Sequence, residues 1–296
     1  MSLVSLVVNG SSAPQVPVFS AGVDLVNVGI AVTDRKGAHV TDLTAENFEI
    51  WEDGKKQTIR YFATGQGGEP GPSLHLGLML DVSESMAEDI GFTRTAAVKF
   101  LNTLLDAVDI TVVDFDTEVR AATYGQTDFA RVIERIRRQK TSGSTALYDA
   151  IGIYLDGAGR QDGRKIMLLY TDGGDTRSVM RLPELVDLLK ASDVTLYAIG
   201  ALDHQSSSVR FQQIAILRQL AETTGGQAFF PRSTKELDNT YAKVLAEIRA
   251  QYTVGYLSTN ERADGAWRKV EIKIAGKDGY RVRARKGYYG VYKQKP

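Results

Sequence analysis

Residues 76–86 read LGLMLDVSESM, and this stretch decides the fold. Leu76 to Leu80 is a nearly continuous apolar run, the composition of a strand covered on both faces in a parallel sheet. The run stops at an acidic, hydroxyl-rich turn that carries Asp81, Ser83 and Ser85. A helical pattern follows, with Met86, Ile90, Ala97, Phe100, Leu101, Leu104 and Leu105 mostly three or four residues apart. Strand, polar turn and helix in that order place Asp81 at a strand's carboxyl end, where open α/β sheets bind ligands. One carboxylate and two hydroxyls at alternate positions give a compact loop three hard oxygen donors. These suit a divalent cation such as Mg²⁺ better than a soft-ligand metal. A D-x-S-x-S match arises by chance in roughly one chain in ten of this length, so its position and its company must decide.

Outward from that turn, residues from about 73 to 251 alternate strand and helix patterns. The expected strands are His75 to Asp81, Asp109 to Phe115, Glu118 to Thr123, Lys165 to Thr171, Val194 to Gly200 and Gln227 to Phe230. The expected helices are Met86 to Asp106, Asp128 to Gln139, Ala146 to Leu155, Leu182 to Ala191, Val209 to Thr223 and Thr234 to Arg249. Asp109 to Thr123 leaves no room for a crossover helix, so this pair is predicted to be an antiparallel edge hairpin turning near Asp116.

Two further stretches supply more oxygen donors. SGSTALYDAI offers Thr145 where a helix opens, and KIMLLYTDGGDT offers Asp172 at the end of a second apolar strand. The set Asp81, Ser83, Ser85, Thr145 and Asp172, with Gly173 after it, resembles the metal-ion-dependent adhesion site of von Willebrand factor type A domains. All five positions are filled, in order. The resemblance implies that the two serines and the threonine bind a cation directly or through water, with both aspartates coordinating or bridging through water. It also implies that an Asp or Glu carboxylate of a protein partner completes the octahedron. Mg²⁺ is the expected ion, with Mn²⁺ and Ca²⁺ as substitutes.

The flanks are β-rich. Val26, Val28, Ile30 and Val32 alternate as in a strand, and Asp53-Gly54 between two alternating runs is a hairpin signal. Tyr252 to Ser258, Trp267 to Ala275 and Tyr280 to Lys286 are three more strands, separated by turns at Asn260 to Gly265 and Gly276 to Gly279. Each flank alone has too few strands for a stable sandwich. The expected organisation is therefore a flexible arm over residues 1–20, with one short strand at Val4 to Val8, and a discontinuous immunoglobulin-like β-sandwich from residues 21–72 and 251–296. A von Willebrand factor type A domain over 73–250 is inserted in it, a doubly wound, mostly parallel α/β sheet. The stretches VTDRKGAHVTDLTAENFEIWEDGKKQTIRYF and YRVRARKGYY also resemble the flanks of a bacterial family of related proteins.

Composition narrows the function. The chain has 296 residues, 43% of them hydrophobic, enough for packed cores. Lys plus Arg and Asp plus Glu are both 36, so no global field favours nucleic acid. There is no cysteine, which removes thiol catalysis, disulfides and cysteine metal sites. The longest apolar runs fall short of the roughly twenty residues that span a bilayer. The opening MSLVSLVVNGSSAPQ lacks a basic n-region and a long apolar core, so it does not read as a signal peptide. An extracytoplasmic location is what the family resemblance implies.

Competing readings attach to several residues. A serine at Ser83 or Ser85 is also the natural N-cap of the helix that follows. A nucleophilic serine lacks the G-x-S-x-G glycines, and of His39, His75 and His204 only the last sits on a loop that reaches the turn. No G-x-x-x-x-G-K-[ST] loop is present for phosphate, and the SGST turn around Gly143 is a poor substitute. Glu84 reads as solvated, and Asp149 and Asp175 as structural residues or as groups that orient bound waters or hydroxyls. Arg135, Arg137, Arg138 and Lys140 read as the wet face of an amphipathic helix, and Arg281, Arg283 and Arg285 as an exposed strand face. Tyr288, Tyr289 and Tyr292 either pack on the sandwich or meet a partner. The expected function is a non-enzymatic, cation-dependent interaction or adhesion module. The alternatives are a metal-assisted hydrolase, which lacks a general base, and an envelope protein whose metal only stabilises the loop.

Overall fold

The computed structural model describes residues 25–65, 72–103, 107–276 and 279–290. The expected arm, its Val4 to Val8 strand, Leu104, Leu105 and Tyr292 lie outside the described residues. In chain order the strands are β1 (Leu25–Thr33), β2 (Phe48–Glu52), β3 (Lys55–Gln57), β4 (Ile59–Thr64), β5 (Leu74–Asp81), β6 (Ala107–Phe115), β7 (Val119–Gly125), β8 (Arg164–Thr171), β9 (Thr195–Gly200), β10 (Gln227–Phe229), β11 (Tyr252–Leu257), β12 (Trp267–Ile274), β13 (Arg281–Arg283) and β14 (Gly287–Tyr289). The α-helices are α1 (Ile90–Thr103), α2 (Phe129–Arg138), α3 (Leu147–Ala158), α4 (Leu182–Ala191), α5 (Ser207–Thr223) and α6 (Thr234–Ala250).

The central sheet has the order β10-β9-β8-β5-β6-β7. All its pairings are parallel except β6 with β7, the predicted antiparallel edge hairpin. β5 shows why the apolar run folds this way. Leu74, Leu76, Leu78 and Leu80 face one buried cluster with α1, α2 and α6, whereas Met79 faces a second with α3, α4 and α5. A strand with both faces covered carries apolar residues at successive positions instead of alternating ones. Gly77 leaves room for a helix on the second face, since a Cβ there would stand 2.3 Å from the Tyr154 ring. The helix expected from Met86 is divided: a single 3-10 turn, Glu84–Met86, precedes α1, which starts at Ile90.

The flanking strands form two four-stranded sheets, ordered β13-β1-β11-β4 and β14-β12-β2-β3. Each sheet mixes strands from before and after the central region, and one apolar cluster, including Val28, Ile30, Ile50, Tyr252 and Val254, draws on both. The two ends of the central region meet there: Thr64 is paired with Tyr252, and the Gly65 N–H donates to the Gln251 carbonyl at 3.1 Å. β13 stops at Arg283, and a further short strand, β14, closes the second sheet where the sequence suggested only an aromatic tail. Tyr288 packs on the apolar cluster, and the Tyr289 hydroxyl donates to Asp187 of α4 at 3.3 Å.

Two basic sets sit differently from their sequence pattern. Arg135 turns inward from α2, donating through Nε to Asp114 Oδ1 at 2.8 Å and through Nη2 to the Arg120 carbonyl at 2.8 Å. Asp114 is buried at the end of β6, so the charge goes where its counter-ion is fixed. Arg137, Arg138 and Lys140 remain exposed. Of the other set only Arg281 is exposed. Arg283 is ion-paired with the buried Glu247 of α6. The Arg285 guanidinium donates to the Ser192 carbonyl at 3.0 Å and lies over the Tyr288 ring. That strand face is packed back onto the α/β region.

Candidate functional site

In the central sheet the chain progresses outward in opposite directions from the junction of β5 and β8, so their carboxyl ends flank a topological switch point. Asp81 closes β5, Thr171 closes β8 and Asp172 follows it directly. The three loops above this point are laced together by their backbones. The Ser142 N–H donates to the Val82 carbonyl at 2.9 Å and the Glu84 N–H to the Gly143 carbonyl at 3.1 Å, which holds the loop before α3 against the serine turn. Gly143 takes φ +71°, and a Cβ there would stand 2.4 Å from the Thr117 hydroxyl, so both conformation and space require glycine. On the other side the Thr145 carbonyl accepts the Thr176 and Arg177 N–H groups at 2.9 and 3.0 Å, tying that loop to the segment after Asp172.

This lacing brings all five residues singled out in the sequence to one edge. Asp81, Ser83, Thr145 and Asp172 are buried, and Ser85 is exposed at the mouth. Asp81 Oδ1 accepts the Ser83 N–H at 3.0 Å and the Ser83 hydroxyl at 2.6 Å. Asp81 Oδ2 accepts the Thr171 hydroxyl at 2.6 Å. The Ser83 and Ser85 hydroxyl oxygens lie 3.1 Å apart. Asp172 is held by the Gly174 N–H at 2.9 Å and by Gln205 Nε2 at 3.0 Å.

Burial dominates the electrostatics. Removal from water pushes the Asp81 carboxyl up to about 7, and the nearby Asp172 adds to the rise against the hydrogen bonds from Ser83 and Thr171. Among the described residues no Lys, Arg or His pairs with either aspartate, so the two carboxylates face each other without a counter-charge. The arrangement fits a small dication. Ligands at 2.0–2.1 Å and at right angles around Mg²⁺ stand roughly 3 Å apart, close to the spacing of the two serine oxygens. Among the described residues no three His, Cys, Asp or Glu side chains converge on one point, so an ion here would depend on hydroxyl ligands. Asp81, Ser83, Ser85, Thr145 and Asp172 are the residues that could hold it.

A family model described as the von Willebrand factor type A domain matches residues 75–243. The chain belongs to the von Willebrand factor type A domain family. Among solved structures, a von Willebrand factor type A protein from Catenulispora acidiphila superposes with a TM-score of 0.52 at 12% identity, over 93% of this chain and 76% of that one. The pilus adhesin SpaC from Lactobacillus rhamnosus GG, in an open conformation, gives a TM-score of 0.51 at 9% identity over 83% of this chain and 48% of its own. The PilB minor pilin from Streptococcus sanguinis gives 0.49 at 11% identity over 62% of this chain, which spans 63% of the pilin's length. Identities this low establish the shared fold alone. No curated protein matches the chain.

Within this von Willebrand factor type A domain the remaining sequence candidates take structural roles. Asp149 accepts the Val179 and Met180 N–H groups at 2.9 Å each, and Asp175 accepts the Ser178 hydroxyl at 2.6 Å, so both brace the loop after Asp172. Glu84 is exposed. His204 lies with Nδ1 2.8 Å from Glu88, and the Ser83 hydroxyl is committed to Asp81. His75 pairs with Asp109 near the opposite end of the sheet. Among the described residues no histidine is hydrogen-bonded to Ser83 or Ser85. Three residues of the site were missed by sequence reasoning: Thr171, Thr176 and Gln205. Thr171 adjoins Asp172 and could have been suspected from the T-D step, but Gln205 carries no signal beyond its place in a polar loop.

Proposed function

We propose that this chain is a non-enzymatic interaction module that binds one divalent cation at Asp81, Ser83, Ser85, Thr145 and Asp172 and uses it to grip a carboxylate of a protein partner. The observation that carries the reading is the pair of buried aspartates without a counter-charge, lined by hydroxyl oxygens at ligand spacing. Two aspartates against one dication leave the centre near neutral, and neutral hydroxyl ligands keep the ion electrophilic enough to favour an added carboxylate. Mg²⁺ is the proposed ion.

The surface around the site supports a macromolecular partner. The two most exposed large apolar side chains among the described residues are Val179, at 90%, and Phe211, at 80%. Val179 is on the loop that carries Asp172, and Phe211 is in α5, six residues after Gln205. We infer that these two side chains contribute to the partner-binding face. The proposal extends to an extracytoplasmic location, in keeping with the pilus adhesin among the similar folds. It also divides the chain into the inserted domain over 73–250 and a β unit from the flanks. Among the described residues no helix is long and apolar enough to cross a membrane.

The test is calorimetric titration of Mg²⁺, Mn²⁺ and Ca²⁺ into chelator-stripped protein, repeated with Asp81→Ala and Thr145→Ala. One-to-one binding lost in both variants is the expected result. A peptide-display screen in Mg²⁺, repeated in EDTA, then tests the grip: the selected sequences should share an Asp or Glu and should release on chelation. Binders that survive both chelation and Asp81→Ala would refute the mechanism. A metal that raises the melting temperature while selecting no binder would favour the purely structural alternative.

A further inference from the structure

Beside the proposed metal site is a cavity of about 300 Å³ between the start of α1, the loop after β9 and the entry to α6. It is continuous with the metal edge. Thr171, which lines it, donates to Asp81, and Met86, another wall residue, follows Ser85 directly. Its floor is largely apolar, since Met86, Tyr170, Ile199 and Leu202 are all buried, with the buried Thr93 and Thr171 beside them. Its mouth is acidic on the α1 and β9 sides, where Asp89 and Asp203 line it and Glu88 stands against His204. Arg232 lines the α6 side, with its side chain in solvent.

An apolar floor beneath carboxylates suits a long side chain with an aliphatic stem and a cationic head. Asp89 decides between that occupant and a wholly apolar one. Its side chain is only 20% exposed, and burial raises its carboxyl, with Asp203, Glu88 and Asp172 adding to the rise and His204 opposing it. A leucine or phenylalanine over the mouth would strip the remaining water from Asp89 and leave it only the His204 imidazole, whose Nε2 is 3.7 Å away, beyond hydrogen-bond distance. An ammonium or guanidinium head replaces that water with a charge-assisted hydrogen bond.

We infer that this cavity takes a lysine or arginine side chain of the same protein partner, set a fixed number of residues from the acid that reaches the metal. The inference rests on the proposed metal reading for the position of that acid. The partner epitope is then a pair of opposite charges, one read by the cation and one by the cavity.

Two experiments on the full chain test it. In the first, N-acetyl-lysine methylamide and its apolar counterpart N-acetyl-norleucine methylamide are titrated into ¹⁵N-labelled protein, and the amide shifts of Thr93, Ala201, Asp203 and Arg232 are followed. The lysine derivative should move these amides and the norleucine derivative should not; equal or stronger shifts with norleucine would overturn the inference. In the second, a peptide-display library with one fixed aspartate is panned in Mg²⁺. A basic residue should be enriched at one offset from the aspartate. Asp203→Asn should weaken the selected peptides about tenfold, and Ala201→Leu, which fills the cavity, should abolish the basic preference with Mg²⁺ affinity unchanged. Enrichment of apolar residues, or indifference to both variants, refutes the cavity while leaving the metal reading intact. A basic preference that persists in EDTA refutes the metal reading and supports the cavity.

Discussion

Replacing Asp81 by asparagine should stabilise the metal-free protein at neutral pH while destroying its metal site. The folded state holds a proton on Asp81 up to about pH 7, whereas the unfolded chain releases it near the ordinary value of 3.8. Between those values the folded state binds more protons, so unfolding becomes easier as pH rises across that window. The full span of roughly three pH units amounts to about 4 kcal/mol, of which about 2 kcal/mol falls between pH 5 and pH 7. Asparagine keeps the shape and has no charge to desolvate, and the Thr171 hydroxyl can turn to accept its amide. Urea unfolding in EDTA at pH 5 and pH 8, wild type against Asp81→Asn, isolates this group together with the coupled Asp172, because titrations elsewhere in the chain cancel in the difference. The advantage of the variant should grow by about 3 kcal/mol from pH 5 to pH 8. Saturating Mg²⁺ should restore the wild type alone, by about 3 kcal/mol at a hundredfold excess over Kd. A difference that stays flat with pH, or a variant less stable than wild type at pH 8, would show that burial does not burden the carboxylate and would remove the electrostatic case for a cation.

Further expectations test other parts of the molecule. Thr145→Ala should lower Mg²⁺ affinity at least about tenfold while changing unfolding free energy by less than about 1 kcal/mol, measured by calorimetry and urea titration on one preparation. Arg135→Ala should destabilise by about 2 kcal/mol, because it removes one of two guanidinium groups from the buried Asp114; a neutral result in thermal unfolding would return that side chain to the solvated face. Gly77→Ala drives a methyl into the Tyr154 ring and should cost about 2–3 kcal/mol by chemical denaturation. Val179→Ser and Phe211→Ser should leave the melting temperature within about 2 °C of wild type and weaken selected peptides, read by fluorescence anisotropy.

Much of this protein was determined by local sequence. Strand β5 was legible because a strand buried on both faces must be apolar at consecutive positions, and the turn after it because polar residues interrupt that run before a helical pattern begins. Periodicity placed Thr145 at a helix start and Asp172 at a strand end, whereas their grouping with Asp81, Ser83 and Ser85 came from the family resemblance. Tertiary structure decided whatever depends on which element lies beside which. Thr171 matters because β8 neighbours β5, and Gln205 because the loop after β9 folds over Asp172; no spacing along the chain encodes either adjacency. Arg135 shows the limit of periodicity, which gives the side of a helix a residue occupies but not that a buried aspartate waits at that side's edge. The arginines of β13 and its extension looked solvated because alternation identifies a second face without saying what covers it. The cover came from α4 and α6, nearly a hundred residues and about forty residues away in the chain. A charge is placed by its counter-ion and a face by its neighbour, and both are properties of the assembled fold.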